Sequence, residues 1–240
     1  MFSIHDLTGA EARMIHIAEY EYGDYFKVAN SIVMFLWKFS GKIDPDFWIF
    51  AAFLSQVQKS ALLALMSAVR QHDIQTSMMM RYTLESATLA VYSTHEKNED
   101  CYHEIKADGT VLPKDALRKA YKWMPKAYPE YNQAVKFQKD TLNKYSTHGN
   151  ILPSVFNVDF QEDGKVRFNF FDTTTKDLTN FKIWCTADIC FKFLNVIGYI
   201  NKEQPFFDSV PKFNMIMSEY NSQINLLKEN LRQTETFKGL

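Results

Sequence analysis

Between Phe47 and Val69 the chain carries one formal charge, Lys59, and between Ile74 and Thr94 only two, Arg81 and Glu85. Two consecutive stretches of twenty or so residues with so few charges must bury most of their surface. Neither shows the strict alternation of a half-buried strand, and both are long enough for helices. The first follows Asp44-Pro45, a capping residue followed by proline at the first helical position. The second, IQTSMMMRYTLESATLAVYST, is uncharged on nearly every side, which predicts a helix at the centre of a bundle.

The flanking segments extend the helical pattern. Thr8-x-x-Glu11 reads as a capping box, and Ile15, Ala18, Tyr22, Tyr25, Ala29, Ile32, Leu36 and Phe39 keep three-and-four spacing behind it. This predicts one long helix, bent at Gly23 and running to Gly41. Residues 96 to 112 read as a polar, acidic connection. Helix restarts at Pro113, is broken by Pro125 and Pro129, and resumes from Glu130 to His148, where Gly149 stops it.

After Pro153 the period becomes two. Phe156, Val158 and Phe160 alternate with polar residues, Asp163-Gly164 supplies a turn, and Val166, Phe168 and Phe170 alternate again. This predicts a β-hairpin near 155–171 with its aromatic face laid on the helices. Two helices, about Asp177–Ile200 and Pro211–Thr236, close the chain, the last with Phe213, Ile216, Tyr220, Ile224, Leu227 and Leu231 on one stripe. The expected fold is all-α: one domain over 1–240, a bundle of six to seven helices with one inserted hairpin.

Composition narrows the function classes. The 240 residues carry 27 Lys and Arg against 28 Asp and Glu, a net charge of −1, which argues against a polyanion binder acting through the whole surface. Three cysteines, Cys101, Cys185 and Cys190, make no disulfide framework and point to a reducing compartment. The N-terminus lacks a basic region followed by an apolar run, and the longest apolar runs, Phe47–Leu54 and Ala61–Met66, fall short of a membrane span. The expected location is the cytoplasm, with no membrane contact.

Three groups of residues carry candidate chemistry. Arg81 and Glu85, four apart on the least charged helix, form either a buried pair that fixes helix register or a polar site offering a guanidinium to an anion. His148 ends a helix within Lys144-Tyr-Ser-Thr-His-Gly; it either caps the last carbonyls or serves as a general acid. Residues 112–150 hold eight Lys or Arg and three acids, interleaved with Tyr121, Trp123, Tyr128, Tyr131, Phe137 and Tyr145. Cations among aromatics suit single-stranded RNA, with Lys114, Arg118, Lys122, Lys144 and Tyr145 as contacts. A solvated helix face with its rings turned inward accounts for the same residues. The sequence has no Glu-x-x-His for a di-iron bundle, and His95, Cys101, His103, Cys185 and Cys190 match no zinc spacing. Phosphate-loop, dinucleotide and nucleophile-elbow patterns are absent, so no metal or cofactor is expected.

Over residues 47 to 150, Met80-Arg81-Tyr-Thr-Leu-Glu85 followed by a helix ending Tyr145-Ser-Thr-His148-Gly149 resembles a group of bacterial helical proteins. In that group a buried Arg-x-x-x-Glu helix precedes one ending Ser-x-x-His. In outline the group is similar to the HEPN superfamily, helical domains that often act as metal-independent ribonucleases in toxin–antitoxin and phage-defence systems. The HEPN nuclease motif is Arg-x4–6-His, and this chain departs from it: the positions preceding His148 are Thr141, Leu142 and Asn143, and those preceding His95 are Thr88, Leu89 and Ala90. Two functions are therefore expected. The first is a non-catalytic module that forms a homo-oligomer or docks on a protein partner, in a bacterial defence or stress setting. The second is a metal-independent ribonuclease using Arg81, Glu85 and His148.

Overall fold

A computed structural model describes residues 3–145, 157–162 and 165–238. Among the described residues there are eight α-helices and only short strand pairs, with 72% helix overall. The expected all-α class therefore stands.

The first helix, α1 (Ile4–Tyr22), is capped by Ser3 with Asp6 in a reciprocal box. Thr8 bonds back to the Ile4 carbonyl inside the helix, and Glu11 is engaged elsewhere, so the Thr8 box does not form. The single bent helix expected here is two. Gly23, at φ 53° and ψ −129°, takes a conformation costly for any residue with a Cβ, and α2 (Asp24–Phe35) restarts behind it.

Strand β1 (Ser40–Ile43) and a 3-10 turn at Pro45–Phe47 lead into α3 (Trp48–Val69). This helix pairs antiparallel with α4 (Asp73–Ser93), the most extensive helix contact in the fold. The seam is made of small residues, among them Ser60, Ala61, Ala64, Thr83 and Ala87, all buried, and Thr83 donates to Ser60 across it at 2.8 Å. Close backbone approach explains why so uncharged a pair contains so few large side chains.

The polar connection after α4 contains a hairpin that the sequence reading missed, β2 (His103–Ile105) with β3 (Val111–Pro113), turned at Asp108-Gly109 with Gly109 at φ 82°. Helix α5 (Ala116–Ala127) runs through Pro125 rather than ending there; the break comes at Tyr128, and Pro129 opens α6 (Pro129–Tyr145). Pro125 is exposed, so its ring projects away from the core.

Strands β4 (Val158–Phe160) and β5 (Val166–Phe168) pair antiparallel as a hairpin, Val158 opposite Phe168 and Phe160 opposite Val166. The expected turn, Asp163-Gly164, and Phe156 lie outside the described residues. The aromatic face is not laid on the helices: Phe168 is 78% exposed and Phe170 57%. Alternation separates two faces of a ribbon without saying which one meets the bundle.

The centre of the bundle is α7 (Lys176–Glu203), not α4. Residues 179–191 are buried without interruption, and α7 contacts α2, α3, α4, α6 and α8 (Phe213–Arg232). Helix α4 instead keeps Ile74, Met78 and Tyr82 in solvent. Between α7 and α8, β6 (Phe207–Ser209) pairs with β1. The last helix buries Phe213, Tyr220, Ile224, Leu227 and Leu231 of the stripe read from the sequence, with Met217 added, while Ile216 is only half-buried. Pro45–Val69 and α7 are long and apolar enough to cross a membrane by length and composition alone, contrary to the reading from uninterrupted runs. In α7, 83% of that window is buried inside the fold, as expected of a core helix; in the other, 44% is.

Candidate functional site

Arg81 and Glu85 meet as their spacing predicts. Arg81 Nε donates to Glu85 Oε1 at 3.0 Å, and Arg81 Nη1 donates to Asn143 Oδ1 on α6 at 3.1 Å. The pair is not buried. The side chains are 36% and 30% exposed because they lie on the flank of α4 that faces α6, away from the α3 seam. Beneath them stands the hydroxyl of Tyr121, whose pKa burial and the Glu85 carboxylate push up to about 12. Lys139 lies 4.3 Å from the centre of the Tyr121 ring. His148 and the side chains of Lys144 and Tyr145 lie outside the described residues.

Helix α5 sorts the basic stretch cleanly. Arg118, Lys122 and Lys126, four residues apart, form one exposed row with Lys119 beside it, while Ala116, Ala120 and Met124 face inward. Arg118 pairs with Asp115 at 2.9 Å, and Lys114 donates to the Asp100 carbonyl. The rings go the other way. Tyr131 is buried, and Trp123 is packed between Tyr92, Tyr128 and a stacked His95 at 5.0 Å. Phe137, 42% exposed, is the main exception. The cations thus face water largely without bases' stacking partners beside them.

The densest charged cluster was not singled out by sequence reasoning. At the α3–α4 turn, Gln71 sits at φ 58°, a strained conformation for a residue with a side chain. On one side of it Glu11 accepts from Arg70 Nη1 at 3.1 Å and bonds His72 Nε2 at 2.7 Å. The His72 bond, with Arg70 adding to it, holds the Glu11 carboxyl below its usual range. On the other side Lys182 pairs with Asp73, both deeply buried. Asp172 accepts from the Asp73 amide and returns its own amide to the Gln71 carbonyl. Burial raises the Asp172 carboxyl above its usual range. Phe170 and Phe171 pack on the His72 ring at 5.3 and 5.6 Å. These groups answer one another's charges, and the arrangement clamps α1, α4 and α7 to the 170–172 segment. The signal in the sequence is Arg70-Gln-His-Asp73 between two sparsely charged stretches, together with Lys182 among apolar neighbours.

A second buried carboxyl, Asp188 on α7, accepts from Gln138 Nε2 at 2.8 Å, while Gln138 Oε1 has no donor among the described residues. Burial raises the Asp188 carboxyl, and burial likewise raises the thiols of Cys185 and Cys190. All three cysteines are free, and no group of three metal-ligating side chains occurs among the described residues.

No family model, no curated protein and no solved structure matches the chain.

Proposed function

We propose that the protein is a helical interaction module that self-associates through the outer face of the α3–α4 pair. The observation that carries this reading is the row Ile74, Met78 and Tyr82 at four-residue spacing on α4, beside Leu63 on α3, each between 43% and 55% exposed. None of the four is charged, and Tyr82 leans over the seam to bond Gln56 on α3 at 2.8 Å, which gives the face a fixed shape. A twofold contact brings the same patch onto itself, so the four apolar side chains meet their own kind, and Lys59, exposed on the same stripe of α3, falls at the rim, where its charge stays in water. The three free thiols accord with a reducing, cytoplasmic setting.

The experiment is the mass in solution by light scattering at about 10 and 100 µM. Twice the 28.0 kDa chain mass is expected. Met78→Glu with Tyr82→Glu, both on exposed positions, should return the chain mass without loss of helix. A wild-type monomer throughout that range removes the reading.

One observation favours a second reading, a metal-independent ribonuclease. Asn143, bonded to Arg81, precedes His148 by five residues, so the end of α6 approaches Arg81 and Glu85. In that reading Arg81 stabilises phosphorane charge, Glu85 orients it, His148 transfers the proton, and Lys114, Arg118 and Lys122 hold RNA. Cleavage of mixed-sequence RNA in excess EDTA should fall about 100-fold or more in His148→Ala. Persistent cleavage in that variant removes the assignment.

A further inference from the structure

Helices α5 and α6 meet at a bend. Tyr128, at φ −138° and ψ 72°, leaves helical geometry, and Pro129 starts the next helix. The bend stands off α7 and leaves a cleft of about 390 Å³, lined by Tyr128, Pro129, Glu130, Lys192, Asn195 and Tyr199 among others. Small-molecule sites occupy roughly 300–1,000 Å³, mostly apolar with a few convergent polar groups. This cleft has that composition.

Its walls are aromatic. The rings of Tyr128 and Tyr199 stand nearly perpendicular, 81° apart with centroids at 6.3 Å, and Tyr199 is 56% exposed although Gly198 and Ile200 beside it are buried. Lys192, Asn195 and Tyr199 follow one another at i, i+3 and i+7, along one side of α7.

Its cation is Lys192, half-buried and without an ion pair among the described residues; its ammonium lies 5.3 Å from the centre of the Phe191 ring. The carboxyl one turn before it, Asp188, is buried and bonded to Gln138, and burial raises it against the opposing pull of Lys192. The first-turn amides of α6, at Glu130 and Tyr131, have no acceptor within their own helix and add positive potential at the same end of the cleft. Glu130, on the exposed rim, opposes part of that potential from the same end of the cleft.

We propose that this cleft binds a small planar ring carrying one anionic group. The ring lies against Tyr128 and Tyr199, the anion meets Lys192 and the first turn of α6, and Asn195 hydrogen-bonds the ring edge. The site lies apart from the α3–α4 face, so it stands or falls independently of self-association. An aryl carboxylate and a nucleoside monophosphate both present this chemistry.

The test is titration of the full chain with 1-naphthoate and with AMP by calorimetry, each beside its neutral counterpart, 1-naphthamide and adenosine. Saturable binding at one site is expected for at least one anion, about tenfold or more tighter than for its neutral form. Preference for naphthoate assigns the carboxylate source, and preference for AMP the nucleotide. Tyr199→Ala, at an exposed position, and Lys192→Gln should each weaken binding about tenfold or more. If Lys192→Gln fails to fold, Tyr199→Ala carries the comparison. No saturation by either anion below about 5 mM, equal affinity for the neutral forms, or undiminished binding in Tyr199→Ala overturns the proposal.

Discussion

Lys182 lays its ammonium on the carboxylate of Asp73 where α7 passes the first turn of α4, and their side chains are only 9% and 11% exposed. Charges this deep are held by each other and by Asp172, which bonds the Asp73 amide. Taking away one partner strands the other in an apolar surround, which costs far more than the pair itself contributes.

Lys182→Met should therefore destabilise the fold by about 3–5 kcal/mol. Lys182→Met combined with Asp73→Asn should recover part of that loss, since Asp73 is then uncharged, and only part, since Asp172 still loses the Lys182 charge. Urea denaturation of the two single variants and the double variant closes the cycle. Additive losses would show that the pair is not coupled.

Asp188 sets a pH dependence of opposite sign to that of Glu11. Its folded carboxyl lies above the unfolded value, so the folded state holds the proton longer, and stability falls as pH rises from the unfolded value through the folded one. Asp188→Asn removes this burden and offers Gln138 Oε1 the donor it lacks. The variant should gain on wild type as pH rises from about 4 to 8, read from urea midpoints at each pH. Glu11, held below its usual range, instead contributes stability present above the unfolded value and lost as pH falls through the folded one.

Gly198 is pressed by Phe213. A Cβ built on it would lie 2.6 Å from the Phe213 ring edge. Gly198→Ala gains up to about 1 kcal/mol of helix propensity but overpacks the α7–α8 contact, for a net loss of about 1–2 kcal/mol. Phe213→Leu in the same chain should relieve the clash, and thermal unfolding of the pair against each single variant measures it.

The hairpin face makes a contrast. Phe168→Thr should change stability by no more than about 0.5 kcal/mol, because the ring is already in water. Phe193→Ala, fully buried on α7, should cost about 3–5 kcal/mol. A large loss from Phe168→Thr would mean that the ribbon packs as its alternation first implied.

What the sequence made legible was local. Sparse charge identified α3 and α4, three-and-four spacing identified the buried stripe of α8, and the Arg81–Glu85 bond follows from one helical turn. The Asn143 contact does not, because α4 and α6 meet only in the folded chain. The centrality of α7 was hidden by Lys182, Asp188 and Lys192, charges whose partners for two of them, Asp73 and Gln138, lie on other elements. The inward turn of Tyr121 and Tyr128 was available from their spacing with Met124, at i, i+3 and i+7. The cleft was not, since it depends on how far a bend at Tyr128 stands from another helix.

Helix α2, near the start of the chain, completes its packing against the end. The Tyr25 hydroxyl donates to the Leu227 carbonyl, 202 residues away, and Ser31 bonds the Tyr220 hydroxyl at 2.9 Å. A ribosome making roughly 5–20 residues per second needs on the order of ten seconds or more to deliver those partners. Throughout that interval Phe35 lacks the Phe213 and Tyr220 rings it finally packs on, and the nascent chain must shelter it with a chaperone or a provisional collapse before its last helix emerges.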